Sequence, residues 1–520
     1  MKWATKRIAL RFSMSLALAQ CIIWSATATR PIQAQDKPNI VILYADDLGF
    51  GDIRANNPKS KIPTPNLNQL LADGLRFTDG HSSSGICTPS RYALLTGRHH
   101  WRDFHGIVGV FGESVFDPQR LTLPEMLRER DYTTACIGKW HLGWNWDEIR
   151  RSGVKPEKDQ RGRSVWPPNA FDWTKPIPDG PLTHGFDYYF GDTVINFPPY
   201  TWIENEHVVT APDVMMDTAL WKPIKEGNWE CRPGPMAEGW DPYQVIPTLT
   251  KKAEQFLKRQ QGEEKPFFLY FAFPSPHAPI IPNDEFDGRS QAGPYGDFVY
   301  ETDAAAGRIL ETLDQIGASE NTIVIFTADN GPEKYAYARD QRYGHWSAEP
   351  FRGLKRDIYE GGHHVPFGVR WPGKIEPGRV SDALVSQIDI IATLADVIEY
   401  SLPVEAAEDS HSLLNLWLGK SESVRTTHVH NTYQDRYAIR HHQWLLVDGK
   451  DGYHSGRNKV WEQEHGYTGD DDAPFELYDM ESDPGQKTNI ARQHPQVVEQ
   501  LQSLLAQIKE SPTAPRLSQD

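Results

Sequence analysis

The sequence predicts an α/β protein with a central, mostly parallel sheet flanked by helices, and a smaller C-terminal α+β unit. Four short apolar runs, at residues 39–45, 133–137, 267–273 and 322–327, are typical of strands buried on both faces. Helical patterns cover residues 300–316 and 387–398. Strands that alternate with helices favour an open sheet covered by helices.

A change in pattern after about residue 424 predicts the second unit. Short strand-like pieces at 428–430, 437–439, 444–447 and 475–478 indicate a small antiparallel sheet. A final helix is expected near 496–508, where apolar residues recur at helical spacing. We therefore divide the chain into a main domain of residues 35–424 and a C-terminal subdomain of residues 425–520.

The stretch between residues 140 and 240 has a different composition. It is rich in Pro and Gly, and it contains nine of the seventeen Trp residues. We expect long loops that cover one edge of the sheet, and long ordered loops are often functional.

Residues 1–34 have the layout of a cleaved secretory signal peptide. A basic start is followed by an apolar run at 12–24 and then by small residues, with possible cleavage after Ala28 or Ala34. The apolar run is too short for a confident membrane span. We therefore expect an exported protein, periplasmic or extracellular, without a membrane span.

Charge and cysteine content narrow the classes of function. The net charge is −16, and loss of residues 1–34, which hold five basic and no acidic residues, would take it to −21. We expect no nucleic-acid binding from so acidic a chain, because contact with the phosphate backbone requires a basic face. Any anionic substrate needs a local cationic pocket. Cys87, Cys136 and Cys231 remain after cleavage, so at least one thiol is unpaired.

Polar side chains follow each of the four predicted central strands. Because ligands bind beyond the carboxyl ends of strands in open α/β sheets, these side chains mark a candidate site. Asp46, Asp47, Asp329 and Asn330 offer four oxygen donors of the kind that Ca²⁺ or Mg²⁺ takes. The His and Cys ligands typical of zinc are not grouped here. The other two strand ends carry Lys139 with His141, and His277.

Cys87 precedes a predicted helix. Pro89 suits the first helical turn and Gly97 suits the C-terminal cap, which places Cys87 at a helix N-terminus that favours anions. From the residues alone, a lone cysteine such as Cys87 is first interpreted as a small buried apolar side chain, and a reactive thiolate is the second interpretation.

The run Cys87-Thr88-Pro89-Ser90-Arg91, continued through residue 98, resembles the signature of the type I sulfatases. Further blocks resemble that family in the family's order, at residues 45–49, 138–143, 276–279, 328–331, 352–355, 359–362 and 477–480. The resemblance runs from about residue 37 to 510. Residues 356–358 depart from the small-residue pattern of the family.

The resemblance implies an alkaline-phosphatase-like fold in which residues 35–424 form the sulfatase catalytic domain. It also implies that a maturation enzyme oxidises Cys87 to formylglycine (3-oxoalanine), whose hydrate attacks sulfur. One calcium ion would be held by Asp46, Asp47, Asp329 and Asn330, together with the modified Cys87. The product would be an alcohol and inorganic sulfate.

The resemblance also implies roles for the remaining site residues. Arg91 would position the formylglycine, and Lys139 and Lys355 would bind sulfate oxygens. His141 would take the proton that triggers elimination of sulfate. His277 would bind the substrate and act as the acid that protonates the leaving alcohol.

The substrate is expected to be a sulfated sugar or polysaccharide, although the sequence identifies neither the sugar nor the sulfated position. Aromatic rings in or near the loops could stack on sugars: Trp144, Trp166, Trp173, Tyr188, Tyr189, Trp202 and Trp346. Candidate sugar-reading residues are His105, His184, His345 and Arg352. Two alternatives stay open: a phosphomonoester or phosphonate ester hydrolase on the same scaffold, and a non-catalytic binder of sulfated glycans.

Overall fold

The computed structural model describes residues 37–227, 230–433, 436–467 and 472–512. The predicted signal peptide lies outside these ranges. None of the helices within them combines the length and the apolar character needed to span a bilayer. Cys87, Cys136 and Cys231 are buried free thiols.

The strands, in chain order, are β1 Asn39–Ala45, β2 Leu75–Phe77, β3 Gly80–His81, β4 Thr133–Gly138, β5 Glu157–Lys158, β6 Ser164–Val165, β7 Tyr188–Gly191, β8 Ile203–Glu204, β9 His207–Val208, β10 Val214–Met215, β11 Pro235–Met236, β12 Phe267–Ala272, β13 Thr322–Ala328, β14 Phe367–Arg370, β15 Arg379–Ser381, β16 Val385–Ser386, β17 Thr427–Asn431, β18 Tyr437–His441, β19 Trp444–Asp448 and β20 Glu476–Asp479. The helices are α1 Pro65–Ala72, α2 Cys87–Thr96, α3 Leu123–Arg128, α4 Val245–Arg259, α5 Gly293–Gln315, α6 Ala336–Tyr343, α7 Glu360–His363, α8 Ile390–Val397, α9 Leu414–Trp417, α10 Lys459–Glu464 and α11 Pro495–Glu510.

Ten strands form the main sheet, in the order β15-β2-β14-β13-β1-β12-β4-β7-β8-β9. Its five central strands, β13-β1-β12-β4-β7, are parallel to one another. The pairs β13/β14 and β7/β8 are antiparallel. The predicted α/β class and the mostly parallel sheet are thus confirmed.

The central strands are buried on both faces because side chains alternate between two apolar layers. On β1, Ile40, Ile42 and Tyr44 join the layer that includes α2, α3 and α8. Val41, Leu43 and Ala45 join the layer of α1, α4 and α5. A strand covered on both faces needs continuous apolar sequence, which explains the runs that predict it.

A four-stranded antiparallel sheet, β17-β18-β19-β20, forms the core of the C-terminal part. Helix α11 packs against it through Val498, Leu501, Leu505 and Ile508, which confirms the predicted antiparallel sheet. The domain boundary at residue 424/425 stays a prediction. Arg425, the first residue of the predicted C-terminal subdomain, is buried and pairs with Asp389 of the preceding part of the chain.

The structure contains several elements that the predictions lack or place differently. Helix α5 begins at Gly293 and not near residue 300, because Pro294 opens its first turn. Helix α4 is absent from the predictions, although Ile246, Leu249 and Phe256 are spaced for one apolar face. The stretch 140–240 is mostly loop but also contributes β7, β8 and β9 to the sheet edge.

Candidate active site

The carboxyl ends of β1 and β13 bring four of the predicted ligands together. The two strands pair in register through Ala45 and Ala328, so Asp46 and Asp329 follow at the same edge. The amide of Asp329 donates to the carbonyl of Ala45 at 3.0 Å, and the amide of Asp47 donates to Asp329 Oδ1 at 3.2 Å. Asp47 has a φ of 62°, a conformation that is uncommon for a residue other than glycine. Such a strained turn is typical of functional sites.

These oxygen donors fit a bound cation. Oδ1 of Asp46 and Oδ1 of Asn330 are buried and have no hydrogen-bond partner within the described ranges. Buried polar atoms are nearly always hydrogen-bonded, and Arg91 Nη2, at 3.7 Å from Asp46 Oδ1, is too far away for a hydrogen bond, so a bound cation would supply the partner that these oxygens lack. Asp46, Asp47 and His277 offer ligand atoms within 4.8 Å of one another.

Three cations balance the three carboxylates of this site. Lys139 Nζ lies 2.5 Å from Asp46 Oδ2, and Lys355 Nζ lies 2.6 Å from Asp47 Oδ1. Arg91 donates through Nε and Nη2 to Asp329 Oδ2, at 3.0 and 2.8 Å. Burial alone would raise the pKa of Asp47, but Lys355 and then His277 hold it well below its usual range. Burial and then Asp46 raise the pKa of Asp329 to about 6.

Cys87 is the first residue of α2 and is completely buried. The helix ends at Gly97, whose φ of 67° and closeness to Ile391 exclude a side chain there. Burial raises the pKa of the Cys87 thiol, and this outweighs the opposite influence of Lys139 and Lys355. A raised pKa disfavours the alternative of a reactive thiolate.

Arg91 lies on the same helix and holds the side chain of Asp329, one of the predicted cation ligands. Besides its two bonds to Asp329, it donates through Nη1 to the carbonyl of Lys139 at 3.1 Å. Its guanidinium also stacks over the ring of Tyr44, 5.2 Å from the centroid. In this structure Arg91 thus connects the ends of β13 and β4 next to Cys87. Its predicted contact with the formylglycine stays a prediction.

Two histidines face the same edge with defined proton positions. His141 Nε2 lies 3.1 Å from the carbonyl of Val108, so Nε2 carries the proton and the buried Nδ1, which has no partner among the residues that the structure describes, presents a lone pair. His277 Nδ1 lies 2.6 Å from the carbonyl of Ala278, which leaves Nε2 to face Asp47 Oδ2 at 3.7 Å. Burial and then Lys355 lower the pKa of His277 to about 4.

A pocket opens beside His141. Its lining includes Val108, Gly109, Thr193, Val194 and Phe197. The residues come from the loop after α2 and from the loop after β7, so the long Trp-rich stretch contributes one wall. His141 itself belongs to the lining of this pocket.

The structure gives two of the predicted sugar-binding residues different roles. Arg352 is 3% exposed and donates to Tyr453, Tyr478 and Glu462 of the C-terminal part, at 2.8, 2.9 and 2.8 Å. His345 is also 3% exposed and lies 2.8 Å from Asp52 Oδ1. Both side chains are held by partners inside the fold, a property that sequence spacing does not reveal.

The other aromatic and histidine candidates divide by exposure. Trp144, Tyr189 and Trp346 are buried, and Trp144 packs on Tyr189 with 5.4 Å between ring centroids. Trp166, Trp173, Tyr188 and Trp202 are half-buried, and His105 is exposed. His184 is buried and lies 2.9 Å from Asp179 Oδ1. Of these described candidates, the half-buried rings and His105 have the solvent exposure that contact with a sugar face needs.

One buried acid near the site is absent from the predictions. Asp192 directly follows β7, is 2% exposed, and has no partner for either carboxylate oxygen in the described part of the chain. Burial raises its pKa to about 7, against the influence of Lys139. The same strand-end rule would have found it, but β7 was hidden within the loop-rich stretch.

The carboxyl edge of the parallel sheet carries acidic, basic and imidazole groups, and similarity to known proteins places the chain in the alkaline-phosphatase superfamily. A family model described as Sulfatase matches residues 38–400, and one described as N-sulphoglucosamine sulphohydrolase, C-terminal, matches residues 353–511. The chain belongs to the type I sulfatase family and is a sulfuric ester hydrolase.

Relatives of known name agree with this assignment. An N-acetylgalactosamine-6-O-sulfatase of Bacteroides thetaiotaomicron is 34% identical, with 92% of this chain and 94% of that protein covered. Arylsulfatase A of Homo sapiens is 32% identical, with coverage of 91% and 88%. A solved structure from Bacteroides thetaiotaomicron, described in a study of glycosaminoglycan metabolism, has a TM-score of 0.74 at 32% identity, with coverage of 91% and 100%.

Proposed function

We propose that the protein is an exported, calcium-dependent sulfatase that removes sulfate from sulfated carbohydrate with a formylglycine formed from Cys87. The observation that carries the proposal is the position of Cys87. Cys87 is the first residue of α2, and the charges that act on its thiol belong to the groups of the candidate cation site, Lys139, Lys355, Asp329 and Asp46. Export is supported by the basic, apolar and small-residue pattern of residues 1–34.

Asp46, Asp47, Asp329 and Asn330 would hold the calcium ion. All four are oxygen donors, and the orphaned Oδ1 atoms of Asp46 and Asn330 would gain a partner. When both groups are present, the hydrated formylglycine supplies the nucleophilic hydroxyl and the calcium ion neutralises sulfate oxygens. The three carboxylates and three cationic side chains cancel, so a divalent ion would make the site net positive and attractive to an anionic ester.

Lys139 and Lys355 would bind the sulfate group. Each ammonium contacts a carboxylate of the cation site, and a lysine has three donors, so bonds to sulfate oxygens can be added without losing the first. Both lysines are buried, which strengthens their attraction for charge that develops in the transition state.

His141 and His277 would move protons on opposite sides of the reacting group. Nδ1 of His141, which has no hydrogen-bond partner among the described residues, carries the lone pair that would accept a proton, while burial and then Lys139 hold the pKa of this imidazole well below its usual range. His277 is neutral at pH 7 without substrate, because burial and Lys355 lower its pKa to about 4. A bound anionic sulfate raises the pKa of a nearby imidazole, so His277 would gain its proton together with the substrate.

Conversion of Cys87 requires a maturation enzyme that acts before the domain closes. The thiol is completely buried in the folded chain, and the flanking residues Ile86 and Thr88 are buried as well. An external enzyme therefore cannot reach it without unfolding α2.

We further propose that the first substrate to test is a carbohydrate that contains N-acetylgalactosamine sulfated at the 6-O position. The bacterial relative covered over nearly its whole length carries that name. The pocket beside His141, lined by the apolar Val108, Val194 and Phe197, lies next to a residue of the candidate site.

Peptide mass spectrometry across Cys87, together with sulfate release from the same preparation, tests the proposal. We expect the thiol mass to be replaced by that of an aldehyde or its hydrate. Cys87→Ala should abolish sulfate release, whereas Cys136→Ala, at a buried thiol on β4, should retain it. A fully active preparation with an unmodified thiol would overturn the formylglycine proposal. Turnover of the matched phosphate ester above that of the sulfate ester would overturn the sulfatase assignment of the site.

A further inference from the structure

A second convergent group of side chains lies outside the active site. His81 is on β3, Glu360 and His363 are on α7, and His430 is on β17. One ring nitrogen of each histidine and one carboxylate oxygen of Glu360 lie within 4.8 Å of one another. All four side chains are at most 1% exposed. None of them takes part in the function proposed above.

Hydrogen bonds made by the Nε2 atoms of His81 and His363 indicate which ring nitrogens carry protons. His81 Nε2 lies 2.7 Å from Asp79 Oδ1, and His363 Nε2 lies 3.0 Å from the carbonyl of Ile358. Both partners are acceptors, so each Nε2 carries the proton and each Nδ1 carries a lone pair. These two Nδ1 atoms face each other at 3.2 Å. Two lone pairs at that distance repel unless a metal ion or a shared proton lies between them.

The other two members of the group, Glu360 and His430, have buried atoms that form no hydrogen bond with a described residue. Both ring nitrogens of His430 and Oε1 of Glu360 are buried without a hydrogen-bond partner in the part of the chain that the structure describes. The other oxygen of Glu360 is held by His364 Nδ1 at 2.8 Å, which orients the carboxylate.

We propose that His81, Glu360, His363 and His430 bind a divalent transition-metal ion of the zinc type in a closed, four-coordinate structural site. Three imidazoles and one carboxylate are a ligand set that suits Zn²⁺ and not Ca²⁺, which takes oxygen ligands. Nitrogens bound at about 2.0 Å in a tetrahedron are separated by about 3.3 Å. The observed 3.2 Å between the two Nδ1 atoms matches that separation.

The groups behind the ligands have the arrangement of a metal site's outer shell. A ligating histidine usually donates its other N–H to a carboxylate or a backbone carbonyl, which fixes the ring and its tautomer. Asp79 performs this role for His81, and the carbonyl of Ile358 performs it for His363.

The ion would join three segments that are distant in sequence. His81 precedes the run that leads to Cys87, α7 follows the loop that carries Lys355, and β17 opens the C-terminal sheet. Backbone bonds already connect the first two, from Ser82 N to the carbonyl of His363 at 2.9 Å and from Arg356 N to that of Gly85 at 2.7 Å. The site would therefore hold the Cys87 and Lys355 segments in place without contacting the substrate.

Metal analysis of the full-length protein tests the site independently of any sulfatase activity. The chain is stripped with a chelator, saturated with Ca²⁺ to fill the catalytic site, and then titrated with Zn²⁺. We expect one zinc per chain by plasma mass spectrometry, and Co²⁺ in its place should show the absorption of a tetrahedral site. His430→Gln should weaken zinc binding by more than about 100-fold, and Asp79→Asn by about 10- to 100-fold.

A matched control is His100→Gln, at a buried histidine whose Nε2 lies 3.0 Å from Asn431 and which is outside the ligand group. It should keep zinc at the wild-type stoichiometry. Because Asp79→Asn alters only an orienting carboxylate, it preserves a folded protein even if His430→Gln does not. Absence of zinc in the calcium-loaded wild type, or zinc binding that Asp79→Asn leaves unchanged, would overturn the proposal and indicate a proton shared between His81 and His363.

Discussion

Arg91 and Asp329 form a buried pair in which both side chains are fully enclosed. Asp329 therefore has two roles, since it would bind the cation and it also balances the guanidinium. Asn330, its neighbour in sequence, would share only the first role, because its Oδ1 is orphaned and its Nδ2 donates to Asp47 Oδ1 at 2.8 Å. Comparison of the two residues separates metal binding from charge balance.

We expect Asp329→Ala and Asn330→Ala both to weaken calcium binding and turnover. Asp329→Ala should in addition destabilise the fold by roughly 3–5 kcal/mol, because it leaves Arg91 buried without its partner. Denaturant unfolding in the presence of a calcium chelator measures that difference. Equal stability of the two variants would contradict the structural role of the pair, and full calcium binding in both would contradict the ligand set.

His277 permits a test of its acid role that does not depend on its pKa. Substitution His277→Ala should reduce kcat on a sugar sulfate by about 10²-fold or more, because the alcohol leaves poorly without a proton. The loss on nitrophenyl sulfate should be much smaller, since that leaving group needs no protonation. Steady-state kinetics on both substrates provide the measurement, and equal losses would count against the assignment.

At the scale of elements, α5 shows how one helix supports its neighbours through buried acids. Asp303 accepts hydrogen bonds from the amides of Asn66 and Leu67, at 3.2 and 2.8 Å, and so caps the N-terminus of α1. Glu301 accepts bonds from the backbone amide and the side-chain amide of Asn283, at 2.9 and 2.6 Å. Neither acid contacts a basic side chain in these bonds, so burial dominates their ionisation.

Glu301 predicts a pH dependence of stability. Burial raises its pKa to about 7, above the value of 4.5 expected in the unfolded chain. Between these values the folded protein keeps a proton that the unfolded chain has released, so stability falls as the pH rises, by at most about 3 kcal/mol. Denaturant unfolding at pH 5 and pH 8 should show this loss, and Glu301→Gln should reduce it. Glu311→Gln, exposed on the same helix, should leave the wild-type profile unchanged.

At the scale of the whole molecule, the C-terminal part is tied to the catalytic domain by buried polar groups from the segment around Lys355. Arg352 enters the C-terminal part and bonds Tyr453, Tyr478 and Glu462. Asp357, within the segment that departs from the family pattern, accepts from the amides of His454 and Ser455 at 2.7 and 2.9 Å. Asp357, one of the residues that differ from the family pattern, therefore contributes to the contact between the two parts of the chain.

Arg352→Lys should destabilise the protein by roughly 3 kcal/mol, because a lysine cannot reproduce three separate donors in one plane. The KM of the folded fraction should stay within about twofold, which would exclude the sugar-binding role predicted for Arg352. Arg457→Lys alters a half-exposed arginine on the same Glu462 and should cost less than about 1 kcal/mol. A raised KM with unchanged stability for Arg352→Lys would restore the role in substrate binding.

Elements with a strong local pattern were predictable from the sequence. The run at residues 39–45 matches β1 at both ends because a strand buried on two faces must be apolar throughout. Short or edge elements such as β7 and β15 carry no such pattern, because neighbouring strands and loops stabilise them. For the same reason Asp192, which depends on β7 for its position, could not be found from the sequence.

The sequence by itself determined the class of sheet, the polar groups at its carboxyl edge and the Cys87 motif, since apolar runs and strand ends are local properties of the chain. Only the tertiary structure decided which polar side chains are held inside the fold and which face a pocket. His81 and His363 are 282 positions apart and meet at 3.2 Å, while Arg352 and Tyr478 are 126 apart and share a hydrogen bond. Contacts between such distant residues depend on how the two layers and the C-terminal sheet pack together, and no local pattern encodes that packing.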